Sequence, residues 1–175
     1  LAHDKGILTV GVVTKPFKFE GANRMRQAEG GIANLSDKVD SLIIIPNDRL
    51  KFVTDQKITF ANAFGIADDV LKQAVSSISE LVAYSEHVII NLDFADVRTV
   101  LKDQGLAHMG VGVAKGENRI VEAVRLAVNC PLLETTIEGA KGVILNIVGG
   151  NDLTMDEVQT AATLVQSVVD YSANI

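Results

Sequence analysis

At 175 residues the chain is about the size of one domain. An apolar share of 47% with no Trp points to an aliphatic core of strands covered by helices. The 22 acidic against 16 basic residues, a net charge of −6, exclude a general nucleic-acid binder, and the single Cys130 excludes a disulfide framework. A reducing, cytoplasmic setting is the simplest expectation. No apolar run reaches the roughly 20 residues that span a bilayer, so no direct membrane insertion is expected. The start at Leu1-Ala2-His3 and the stop at Asn174-Ile175 read as cut ends of a longer chain.

In chain order, Ile7 to Thr14 is a β-branched run that predicts a buried strand. Met25, Ala28, Ile32 and Leu35 fall at helical spacing. Leu42 to Ile45 predicts a second buried strand, closed by Pro46. From Ile66 to Val82 the apolar positions predict a longer helix, apolar around much of its circumference and therefore central. Val88 to Asn91 is short and extended. Val97, Val100 and Leu101 predict a helix ended by Gly105. Ala107 to Val113 predicts a strand, and Ile120 to Val128 a helix stopped before Pro131. Gly142 to Val148 predicts a further strand. Thr154 and Glu157 form a capping box for a helix through Val169, and Ala173 begins a last strand. The order is α/β. The expected boundary flanks the central helix, near residues 65 to 93.

Several groups could carry chemistry. Glu20 and Arg24 follow the first strand's carboxyl end, where open α/β sheets bind ligands. They suit ribose hydroxyls and a phosphate, or form an exposed ion pair. Asn47 follows the second strand and suits a base edge, or a turn. Asp68 and Asp69 lie early in the long helix, where the positive end of the helix dipole would stabilise them. Asn91, Asp93 and Asp96 mark an acidic helix entrance that either caps the helix or orients water near a phosphate. Gly110 to Gly116 is a near-miss to a dinucleotide turn, or serves close packing. His3, His87 and His108 lack the spacing of a metal site, so no metal ligands are expected.

The strings GILTVGVVTKPFKFEGANRM, VDSLIIIPNDRL, NLDFADVRTV, MGVGVAKGENR and GAKGVILNIVGG closely resemble the FtsZ family of bacterial tubulin-like cell-division GTPases. The resemblance runs from about Gly6 to Val169. It implies part of a parallel nucleotide-binding sheet (residues 1–65), a central helix and catalytic loop (66–93), and an incomplete α/β activation domain (94–175). It implies that Glu20 and Arg24 contact ribose and phosphate, that Asn47 and Asp68 contact guanine, and that Asn91, Asp93 and Asp96 form the catalytic loop. That loop would act on the nucleotide of the next subunit in a head-to-tail filament, so hydrolysis and polymerisation would be coupled. GTP or GDP with Mg2+ is the implied cofactor set. Implied partners are further copies of the chain and, through a tail absent here, membrane-tethering division proteins. The implied location is the cytoplasmic division site at midcell.

The chain departs from the family pattern in two ways. No GGGTGTG-like phosphate loop occurs in it, and Tyr84 to His87 replace a Pro-Gly turn. An alternative expectation follows: the chain alone is inactive and caps or blocks a filament interface.

Overall fold

The computed structural model describes residues 2–52, 58–82, 94–130 and 137–175, which fall into two compact units, Leu1–Met109 and Gly110–Ile175. The boundaries expected at 65 and 93 both lie within the first unit.

The first unit is built on strands β1 (Val10–Lys15), β2 (Ser41–Pro46) and β3 (Gly105–Ala107), which form a parallel sheet in the order β1-β2-β3. Val10 pairs with Ser41 and Lys15 with Pro46, so β1 and β2 run in register over their full length. Parallel neighbours need crossover connections, and helices supply them. Helix α1 (Ala22–Ser36) joins β1 to β2. Helices α2 (Ala63–Val82) and α3 (Phe94–Leu101) lie between β2 and β3.

Burial follows position in the sheet. The central strand β2 is buried at Ser41, Leu42, Ile43, Ile45 and Pro46, as its unbroken apolar run requires. Strand β1 is half-buried throughout. Gly11 in β1 leaves room for its neighbours: a Cβ there would stand 2.9 Å from Leu42 Cδ1, with Val39 and Leu35 also near. The expected face of α1 (Met25, Ala28, Ile32, Leu35) is the half-buried one.

Three expectations are corrected here. Helix α2 starts three residues earlier than Ile66 and buries one stripe through Ala63, Ala67 and Ala74, while Val75 is 48% exposed. Gly105 does not end α3. Asp103 takes the left-handed conformation (φ 56°) just past the helix, and Gly105 (φ 71°) opens β3. The run from Ala107 to Val113 forms a strand only at its start: pairing with β2 ends at Ile43–Ala107, although β2 continues to Pro46.

The second unit contains helices α4 (Arg119–Val128) and α5 (Met155–Gln166), packed on each other. Cys130, Ala161, Val165 and Val169 are buried in it. The run from Gly142 to Val148 makes no ladder among the described residues. It has one parallel bridge, Gly142 with Asn174, closed by Val143 N donating to Asn174 O at 2.8 Å. The expected last strand is thus a bridge at Asn174. The extended segment before α4 lies against that helix. A Cβ on Gly110 would fall 2.0 Å from Ala127 O, and one on Gly112 1.8 Å from Ala123 O. These glycines serve close packing, and the dinucleotide-turn reading is set aside.

The capping box forms as expected. Glu157 N donates to Thr154 Oγ1, and Thr154 N donates to Glu157 Oε2. Arg119, at the start of α4, reaches the same corner. It donates to Glu157 Oε1 at 2.7 Å and to Asp152 Oδ2 at 2.5 Å. The guanidinium pulls the Glu157 carboxyl down to about 2 and also lowers that of Asp152.

Candidate functional site

The carboxyl ends of β1 and β2 meet at the Lys15–Pro46 pair, so the segments that follow them are neighbours. After β1, Pro16 and Phe17 lead into a short 3-10 turn, Lys18–Glu20. Phe17 N donates to Glu20 Oε1 at 2.8 Å, which fixes the carboxylate. Its second oxygen faces Arg24 Nε at 3.6 Å, one helical turn along α1. Arg24 is 67% exposed, and an ion pair so open to water is worth only about 0–1 kcal/mol. The pair therefore adds little to stability and leaves the guanidinium available to solvent.

After β2, Asn47 begins a 3-10 turn, Asn47–Phe52. Asp48 Oδ1 accepts from Lys18 N at 3.3 Å and ties the two segments together. Asn47 is 5% exposed, and its Oδ1 has no hydrogen-bond donor. A buried acceptor left unsatisfied costs about 1–3 kcal/mol. A turn residue needs no such arrangement, and an acceptor so placed could take an N–H from a ligand.

Helix α2 brings a third contribution. Phe64, in its first turn, meets Phe17 edge to face with centroids 5.7 Å apart. Asp68 follows one helical turn later, on the same side. Its position in the second turn also removes the dipole explanation, since that effect fades after the first turn. Phe19 stacks on Phe17 at 5.0 Å, and Phe60 lies 5.4 Å from Phe19. Phe19, Phe60 and Phe64 are exposed by 55%, 78% and 47%. Sequence reasoning missed this cluster. Its signal was compositional: four of only six Phe gather beside Glu20. An open ring offers a stacking face for a base.

Asp96 lies elsewhere. It occupies the first turn of α3, as the spacing predicts. Two hydrogen bonds tie α3, which also packs on α2, to the amino ends of the strands. Arg98 Nη2 donates to Gly6 O at 2.9 Å, ahead of β1. Ser41 Oγ, at the first residue of β2, donates to Leu101 O at 2.5 Å. Val97 is 1% exposed. The structure thus gathers Glu20, Arg24, Asn47 and Phe64, with Asp68 on its helix, at one end of the sheet and attaches Asp96 at the other. Asn91 and Asp93 lie outside the described residues.

Among the described residues, no helix is long and apolar enough to cross a membrane. Comparison with known proteins gives two family matches. Residues 1–55 match the GTPase domain of the tubulin/FtsZ family, and residues 105–175 match the C-terminal domain of the FtsZ family. Among solved structures, the chain is similar to an empty FtsZ dimer from M. jannaschii, with 40% identity and a TM-score of 0.91 over 99% of this chain and 50% of that one. A point mutant of M. jannaschii FtsZ matches at 40% identity and a TM-score of 0.90, with 99% and 52% covered. The chain spans about half the length of these relatives.

Proposed function

We propose a function from the premise that the chain belongs to the FtsZ family of tubulin-like proteins: it is part of a cell-division GTPase that polymerises head to tail and hydrolyses GTP between subunits. The observation that carries this reading is the separation of Asp96 from the Glu20–Asn47 end of the sheet. Two half-sites at opposite ends of one unit complement each other when copies stack in one direction.

The residue roles are those that the family resemblance implies, and the chemistry of each side chain suits its role. The Asn47 oxygen accepts a guanine N–H, and Asp68 accepts N–H groups along the same base edge. The exposed Phe64 ring stacks on the base. Glu20 accepts ribose hydroxyls, and Arg24 offsets phosphate charge. Mg2+ enters as the counter-ion of the phosphates. From the next subunit, Asp96, with Asn91 and Asp93, orients the attacking water. Residues 66–93 then act as helix and loop between a nucleotide domain and an activation domain, in the cytoplasm at the division site. Tethering proteins would bind a tail beyond this chain.

The test uses the full-length protein carrying this sequence. Asp96→Ala is expected to lower GTP turnover at least about 100-fold while leaving GTP affinity within about threefold. Loss of binding with turnover per bound nucleotide unchanged would overturn the assignment. A second reading, favoured by the lack of a GGGTGTG-like loop in the sequence, concerns the chain alone: it blocks filament ends without catalysis. Added in excess to polymerising full-length protein, it should reduce sedimented filament mass, and an unchanged mass counts against it.

A further inference from the structure

The geometry points to a divalent transition-metal site formed by His3, Asp40 and Asp103 at the amino ends of the strands. It rests on no part of the GTPase reading. His3 lies in a short 3-10 turn, His3–Lys5, ahead of β1; Asp40 immediately precedes β2; Asp103 lies between α3 and β3. His3 Nε2 is 3.9 Å from Asp40 Oδ1 and 3.8 Å from Asp103 Oδ1, and the three ligand atoms all lie within 4.8 Å of one another.

These separations are too long for hydrogen bonds but fit a shared ion. Zinc bonds of about 2.1 Å at tetrahedral angles hold ligand atoms about 3.4 Å apart. Closing the set takes a movement of about an ångström, within reach of the exposed Asp103 side chain.

A separate observation concerns Asp40. Its side chain is only 5% exposed. Thr9 N holds its Oδ2 at 2.8 Å. That bond leaves Oδ1 as the oxygen facing His3, within 4.8 Å of the Asp103 ligand atom. A largely buried carboxylate fixed through one oxygen, with the other 3.9 Å from an imidazole nitrogen, is a ligand already oriented. The backbone supports it: Gln104 N and Gly105 N both donate to Asp40 O at 2.9 Å, holding the Asp103 segment beside Asp40. One imidazole with two carboxylates selects Zn2+, Co2+ or Ni2+ over Mg2+ or Ca2+, which prefer all-oxygen sets. An ion there would staple the segments leading into the three strands. Lys102 Nζ, 4.0 Å from Asp103, is the competing partner of that carboxylate.

The experiment titrates the 175-residue chain with Zn2+ alone, and separately with Co2+, near neutral pH. His3→Gln and Asp103→Asn run in parallel, with folding checked by circular dichroism. One Zn2+ per chain, a Co2+ absorption spectrum of low coordination number and a rise in Tm with Zn2+ are expected. Each variant should weaken binding by more than the roughly 10- to 100-fold that loss of a ligand's supporting partner costs. Absence of stoichiometric binding, or equal binding by both variants, would sink the site. A Tm insensitive to Zn2+ would likewise overturn it.

Discussion

Two apolar runs of similar composition meet different fates in this molecule. From the run at residues 7–14 (ILTVGVVT), Val10 to Thr14 enter, with Lys15, a six-residue parallel ladder with β2. Residues 142–148 (GVILNIV) make a single bridge to Asn174. The residues favour extension in both cases. The difference lies in the partner, because strand stability resides in the ladder and its cross-strand contacts. The first unit is held by β2, buried between two neighbours. The second is held by helix packing, by two glycines against α4 and by the Arg119 corner.

Four changes test that contrast. The largest effect is expected from Leu42→Ala. Leu42 is 2% exposed, on the central strand β2, and its loss should cost about 2–5 kcal/mol in denaturant unfolding. Hydrogen exchange should then lose protection first in β1, β2 and β3. Next comes Gly112→Ala. Its new Cβ meets the Ala123 carbonyl, and about 1–3 kcal/mol should be lost, with exchange accelerated in α4. An Ala tolerated there without cost would remove the glycine contact as a basis of the second unit. Thr154→Ala deletes the cap of α5 and should cost about 1 kcal/mol.

The smallest effect is a pH dependence. The Arg119 guanidinium lowers Glu157 from its ordinary 4.5 to about 2 in the folded state. Its stabilisation is therefore complete above pH 4.5 and disappears as pH falls toward 2. Glu157→Gln should flatten the acid limb of thermal stability in that window, whereas an unchanged limb would show that the corner contributes nothing.

Much of this was legible beforehand. The two strand runs, the spacing of α1 and α5, and the Thr154–Glu157 box are local patterns, and local patterns survive into structure. So do Glu20 and Asn47 as followers of strand ends. What was not legible depended on distant residues. Gly105 looked like a helix stop, but the β2 edge recruits it as a strand start. Gly110 and Gly112 looked like a ligand turn until α4 lay against them. His3, Asp40 and Asp103 are far apart in sequence and come together only through the sheet. The Phe cluster is assembled from three segments, so no window of sequence contains it.

The orphan oxygen of Asn47 has a consequence for discrimination. Without a donor, the folded chain carries its desolvation cost; a ligand N–H removes that cost, and a ligand lone pair adds repulsion to it. At about 1–3 kcal/mol, the difference between donor and acceptor at that one atom is roughly a 5- to 150-fold preference. In the proposed guanine contact, selectivity of this kind comes from rejecting the wrong base rather than gripping the right one.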